Sequence, residues 1–288
     1  MPTAIATISL KGGVGKTTLT AGVAEFLAGE FGQRVLLVDL DAQTNLTTMM
    51  IGQDQWLQCN KRGHTLATLF ADALDDTRRF DLDTTLQRDV SPVESVRGVD
   101  LLPASLDFIE LQEELSARRV AADDHAALID VLRRAVAAIA DNYDFILIDC
   151  PPNVGPFSLN GLSLADAYVI PTIPDVLSTY AIGHVQRQVA DFGREIGREI
   201  TELGVVVTKF RAAATLHQDT VLRLRRDPSI QNVLPAYLHE ANVIGAAAEY
   251  RPYVNLRAKY GHHGHFEQFR GVTQALMIEA AAKVSSTA

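Results

Sequence analysis

The stretch Ser9-Leu10-Lys11-Gly12-Gly13-Val14-Gly15-Lys16-Thr17-Thr18 decides the fold, because it reads as a glycine loop that cradles phosphate between a strand and a helix. Residues 4–9 upstream are short, apolar and β-branched, which predicts a first strand. Residues 17–28 downstream carry Leu19, Val23, Phe26 and Leu27 at helical spacing, which predicts a first helix. A loop in that setting aims backbone N–H groups at an anion on the helix N-terminus. Gly12, Gly13 and Gly15 let the backbone approach without a Cβ in the way. Lys16 then reaches the outer phosphates, and the Thr17 hydroxyl serves a Mg²⁺ ion. The ordinary pattern asks for glycine where this chain has Leu10, and a second lysine, Lys11, stands inside the loop.

Working outward, strand-like runs at residues 35–38, 99–102, 145–148, 167–170 and 204–208 alternate with helical stretches. That alternation predicts an α/β fold: a mostly parallel twisted sheet with helices on both faces. Asp39, Asp41 and Asp149 stand at or just past the C-terminal ends of such runs, where ligands bind in open parallel sheets. A helix cap or turn residue is the alternative reading of each aspartate.

The pattern Lys11-Gly12-Gly13-Val14-Gly15-Lys16-Thr17-Thr18 resembles the deviant Walker A motif of the ParA/MinD ATPases, a branch of the P-loop NTPases. Val35-Leu36-Leu37-Val38-Asp39-Leu40-Asp41-Ala42-Gln43-Thr44-Asn45 is similar to the switch I segment of that family. Phe145-Ile146-Leu147-Ile148-Asp149-Cys150-Pro151-Pro152 is similar to its Walker B strand and switch II. The resemblance implies ATP and Mg²⁺ as ligands, with Gly12 through Thr18 around the phosphates. It implies that Lys16 and Lys11 neutralise charge, Lys11 on the nucleotide of a facing subunit in an ATP-bound homodimer. It further implies that Asp41 positions the attacking water, and that Thr17, Asp149 and Asp39 serve the metal shell. Residues 234–249, from Leu234-Pro235 to Glu249, are similar to the family's late nucleotide-side region, and Thr208, Lys209 and Pro235 match its base-binding segments in placement.

At 288 residues the chain suits one ParA-like ATPase domain over residues 1–288, with an elaborated, helix-bearing segment at about 51–97. The cysteines are Cys59 and Cys150, with no spacing for zinc, a disulfide framework or an iron–sulfur cluster. That fits a cytoplasmic protein and removes an iron-protein-like reductase. A metabolic P-loop ligase would not need Lys11 or the Asp39–Asp41 pattern. No secretory leader is expected, nor a helix-turn-helix domain ahead of the loop, so operator DNA is not an expected ligand.

The net charge of −9 argues against a uniformly basic surface but leaves room for a basic patch. Residues 182–200 read as one amphipathic helix, with Arg187, Arg194 and Arg198 sharing its outward face. Arg223, Arg225 and Arg226, with Arg211 upstream, form a second cluster. Two readings stand: nonspecific, nucleoid-type DNA binding, or a solvated face with intrahelical ion pairs. The C-terminal stretch, with Phe269, Val272, Leu276 and Ala280 at helical spacing, reads as core packing rather than a membrane-surface helix. His262, His263 and His265 read as a polar loop. The resemblance thus implies a partition or positioning ATPase, with a ParB-like or other cargo adaptor that stimulates hydrolysis. A MinD-like membrane positioner is the alternative.

Overall fold

The computed structural model describes residues 1–119, 128–261 and 264–284. His262 and His263, two of the three loop histidines, lie outside the described residues. Six strands form one all-parallel sheet: β1 (Thr3–Thr7), β2 (Val35–Asp39), β3 (Val99–Leu102), β4 (Phe145–Asp149), β5 (Ala167–Thr172) and β6 (Thr201–Val207). Their order is β3-β2-β4-β1-β5-β6. All six expected strands are present. β6 starts three residues early, at Thr201, because its polar entry is buried: Tyr168 and Gln186 both donate to the Glu202 carboxylate.

Strand residues alternate between two cores, as a sheet buried on both faces requires. Leu36, Val38, Ile146 and Ile148 enter one core; Val35, Leu37, Phe145 and Leu147 enter the other. Helices α1 (Lys16–Phe31) and α2 (Asn45–Arg62) cover the second face. The first face takes α3 (Leu66–Asp75), with the short α4 (Leu82–Thr85) following it in the chain, and α5 (Phe108–Arg119). It also takes α6 (Val131–Val136), α7 (Pro156–Leu164) and α8 (Val176–Glu195). Beyond β6 come α9 (Thr215–Arg226), α10 (Asn242–Ala246), α11 (Leu256–Tyr260) and α12 (His265–Lys283).

The C-terminal helix α12 is a core element. Phe269, Val272, Leu276 and Ala280 are buried, and the Phe269 ring stacks on Phe26 of α1 with centroids 5.7 Å apart. Gly22 permits that approach, since a Cβ there would lie 2.2 Å from a Phe269 ring carbon. A buried polar cluster also fastens α1 to α11, the helix preceding α12. Glu25 accepts from the Lys259 ammonium and the Ser91 hydroxyl at 2.8 Å each, and from the Tyr260 hydroxyl at 2.7 Å.

The helix expected over 182–200 is corrected by the structure. α8 ends at Glu195, and Gly197 takes the left-handed conformation (φ 67°) that stops a helix. The Arg198 amide closes the turn by donating to the Gly193 carbonyl at 2.9 Å.

Candidate nucleotide site

The C-terminal ends of β1, β2, β4 and β6 converge on one cleft of about 1010 Å³. Its floor is the loop after β1, and Gly12, Gly13, Gly15, Lys16, Thr17 and Thr18 all line it. Gly13 (φ 74°) and Gly15 (φ 84°) hold left-handed backbone that a side chain would strain. This turn delivers the first residues of α1, with their unpaired N–H groups, to the cleft. Val14, between the two glycines, turns inward and is buried.

Thr208 sets the height of this loop. Its buried hydroxyl lies 2.7 Å from the Val14 carbonyl oxygen and 3.2 Å from that of Thr172, tying the phosphate loop to the ends of β5 and β6. Thr208 and Lys209 line the cleft, whereas Pro235 does not. The wall beyond β6 is built from Leu238, His239, Glu240, Ala241, Asn242, Ile244, Gly245 and Ala248. They fall within residues 234–249, the segment that the resemblance puts on the nucleotide side, although nothing in their types marks any one of them as a ligand. Their one signal is position, just after Pro235 and the last strand.

The carboxylates divide by environment. Asp39 and Asp149 face each other in the β2–β4 register, both fully buried. Burial pushes both carboxyls well above the ordinary range, and at Asp149 the neighbouring Asp39 charge adds to it. Asp149 accepts the Thr17 hydroxyl on one oxygen at 2.7 Å. Its other oxygen, Oδ1, is buried without a hydrogen-bond partner. A buried carboxylate oxygen in that condition fits a cation or a cation-bound water, and Thr17 stands beside it as a hard oxygen donor. No group of three or more His, Cys, Asp or Glu among the described residues could hold a metal alone. Mg²⁺ suits such a place, since it keeps several waters and shares substrate phosphates.

Asp39 is engaged by protein groups on both oxygens. Its Oδ2 accepts from the Thr47 amide at 2.9 Å and the Thr47 hydroxyl at 2.7 Å, and its Oδ1 accepts from the Asp41 amide at 3.1 Å. It therefore fixes the start of α2 and the loop that presents Asp41. Asp41 lines the cleft with Gln43, Asn45 and Thr48.

Lys11 precedes the lining glycines without lining the cleft itself, and its ammonium pairs with Asp175 at 2.8 Å within the same chain. Arg211 lines the cleft and is paired with Glu240. The remaining arginines stand apart from the cleft. Arg187 and Arg194 are exposed on α8, and Arg223, Arg225 and Arg226 are exposed on α9. The Gln186 side chain donates to the Ser229 carbonyl at 3.1 Å, which brings α8 against the end of α9. Arg194 is paired with Asp191, so part of the ion-pair reading holds as well. Arg198 does not share that face. Its guanidinium donates to the carbonyls of Leu162 and Ser163 at 3.3 and 2.5 Å, at the end of α7.

The comparisons agree with this geometry. Residues 2–201 match the AAA_31 family model, described as an AAA domain. The chain is 28% identical over 220 residues to the uncharacterised protein Rv1708 of Mycobacterium tuberculosis, a match covering 76% of this chain and 62% of that protein's length. It is 29% identical over 222 residues to the chromosome-partitioning ATPase Soj of Thermus thermophilus, covering 77% of this chain and 75% of that one. Among solved structures, a cobyrinic acid a,c-diamide synthase from Mycobacterium smegmatis, with bound ATP analogue and magnesium, superposes with a TM-score of 0.73. The two are 25% identical, over 96% of this chain and 94% of that one. Loop, strand-end carboxylates, sheet order and relatives converge: the chain belongs to the AAA_31 family, of the ParA/MinD type.

Proposed function

We propose that the chain is an ATP-driven switch of the partition or positioning type: it binds ATP with Mg²⁺, pairs face to face, grips nonspecific DNA and lets go on hydrolysis. The observation that carries the reading is the phosphate loop held over Asp149, whose free buried oxygen sits beside the Thr17 hydroxyl. Mg²⁺, when bound there, supplies charge neutralisation at the transferring phosphoryl group. The loop's N–H groups and Lys16 hold the phosphates in place. Asp41, at the open side of the cleft, orients the attacking water. Asp39 works from behind, through the Asp41 amide.

Lys11 must leave Asp175 to reach the nucleotide of a second copy, so pairing competes with an ion pair within the chain. Both partners are about one-third exposed. Such a pair holds weakly, by about 0–1 kcal/mol, and nucleotide phosphates outbid it. The exposed arginines of α8 and α9 supply phosphate contacts that carry no base specificity. A partner protein accelerates hydrolysis, and the complex works in the cytoplasm on the nucleoid. Among the described residues no helix is long and apolar enough to cross a membrane, and α12 is buried in the core; neither feature favours a membrane-gripping alternative.

The test is binding to a random-sequence duplex with ATP, with ADP and without nucleotide, across a salt series. ATP-dependent binding that weakens steeply with salt supports the reading, and Arg223→Ala combined with Arg226→Ala should flatten the salt slope by roughly two contacts. Equal binding in all three nucleotide conditions, or none, refutes the DNA switch.

A further inference from the structure

Asp41, which orients the attacking water on the proposed reading, sits on the short loop of residues 40–44 between β2 and α2. The Leu40 amide donates to the Asp149 carbonyl at 3.0 Å, and the Thr44 amide donates to the Asp41 carbonyl at 2.9 Å. The buried Asp39 carboxylate bridges the two ends of the loop. Its Oδ1 takes the Asp41 amide at 3.1 Å, and its Oδ2 takes the Thr47 amide at 2.9 Å.

The Thr47 amide is one of the donors that a helix leaves without an internal partner in its first turn. Thr44, at the cap position of α2, makes no side-chain cap hydrogen bond and holds a left-handed backbone (φ 55°), which costs a threonine strain. The cap of α2 therefore comes from β2, through Asp39, and the negative carboxylate suits the helix N-terminus.

A carboxylate held by backbone amides can still rotate unless a further contact fixes its plane. The Thr47 hydroxyl makes that contact, and its polarity is fixed from behind. The Ala104 amide donates to the Thr47 oxygen at 3.0 Å. An amide N–H only donates, so the Thr47 proton is left for Asp39 Oδ2, at 2.7 Å. Ala104 is a firm anchor. The Trp56 indole donates to its carbonyl at 3.2 Å, the Leu66 amide donates to the Pro103 carbonyl at 2.9 Å, and the Ser105 hydroxyl donates to Asn60 at 2.6 Å. Asp39, Thr47 and Ala104 are all wholly buried, so water does not replace a lost donor there. Thr47 stands behind the cleft and is not among the residues that line it.

We infer that Thr47 is a positioning residue for ATP hydrolysis: its hydroxyl, oriented by Ala104, locks the rotation of Asp39 and through it the backbone that presents Asp41. The effect on rate rests on the ATPase reading; the effect on the loop rests on the hydrogen bonds alone. Phosphoryl transfer draws its rate from placement, so a displaced Asp41 slows hydrolysis while the phosphate loop keeps its grip on the nucleotide.

The test compares Thr47→Val, Thr47→Ser and wild type in three measurements on the full chain: single-turnover phosphate release from ATP with Mg²⁺, binding of a non-hydrolysable ATP analogue, and amide exchange across residues 40–46 without nucleotide. Thr47→Val should lower the rate by roughly tenfold or more with analogue affinity within about threefold of wild type, and Thr47→Ser should restore the rate. Exchange across residues 40–46 should quicken in the valine variant alone. In an Asp41→Ala background Thr47→Val should add no further loss, since it acts through Asp41. Thr273→Val is the control: Thr273 is buried in α12 with its hydroxyl on the Phe269 carbonyl at 2.8 Å, and its loss should leave the rate unchanged. Where the valine chain does not fold, Thr47→Cys, a weak donor of similar size, carries the same comparison. A wild-type rate in Thr47→Val, a loss that serine does not repair, or rate and affinity falling together overturns the positioning role. Additive losses with Asp41→Ala overturn its route through Asp41. A wild type that binds the analogue but releases no phosphate refutes the ATPase reading instead, and the exchange measurement then decides the clamp: quickened exchange upholds it and unchanged exchange overturns it.

Discussion

Thr208 shows how much one buried hydroxyl decides. It is the tie between the phosphate loop's Val14 carbonyl and the strand ends. Thr208→Val keeps the shape and removes the donor to the Val14 carbonyl, while the Thr172 carbonyl keeps the Thr208 amide; the lost bond costs about 1–3 kcal/mol. Nucleotide affinity should drop in calorimetric titration, and Thr208→Ser should restore it. Asp72 offers a second residue-scale test. Its burial opposes ionisation, but hydrogen bonds from Thr77, the Phe80 amide and Arg79 outweigh that and hold its pKa below the ordinary value. A depressed folded pKa stabilises the fold above the unfolded pKa and loses that effect as pH falls through the folded value. The urea midpoint of Asp72→Asn should therefore lie below wild type at pH 7, and the gap should close below about pH 4. At this scale the phosphate loop was legible, because glycines and lysines at fixed spacing have few other uses. The direction of Asp39 was not: sequence places a carboxylate at a strand end but does not say that Thr47, eight residues on, will claim it.

Helices and strands obey signals of different reach. The six strands were readable because each is an apolar run between polar turns, and a sheet covered on both faces needs no finer pattern. The end of α8 was misplaced although Gly197 marked it, since Ile196 and Ile200 continue the apolar spacing past the stop. The wall of the nucleotide cleft beyond β6 was legible as the segment 234–249 but not residue by residue, for a different reason. It is assembled by short ladders, such as the Phe210–His239 bridge, which bring together segments far apart in the chain. The α1–α11 junction is equally nonlocal, with Glu25 and Lys259 paired at 2.8 Å and both side chains wholly buried. Removing one partner strands a charge in the core, so Lys259→Met should cost about 3–5 kcal/mol in chemical denaturation. The double variant Glu25→Leu/Lys259→Met should recover much of that loss, because paired burial of charge is itself a weak source of stability.

The whole molecule places its chemistry by topology. With β1 between β4 and β5, the phosphate loop opens beside the Asp149 strand, and β2 brings Asp39 and Asp41 from the far side of β4. The cleft thus gathers residues from four strand ends around one loop, and the exposed arginines of α8 and α9 stand outside it. A chain of net charge −9 that binds DNA must do so through a local patch, which makes that affinity steeply salt-dependent. On the proposed reading, the loop and Asp149 together bind and cleave ATP. The direct measurement is phosphate release from ATP at saturating protein, with and without Mg²⁺, by wild type, Lys16→Ala and Asp149→Asn. Wild type should release phosphate slowly and only with Mg²⁺, and both variants should lose that release with the fold intact by circular dichroism. Release that persists unchanged in Lys16→Ala, or that ignores Mg²⁺, would contradict that reading.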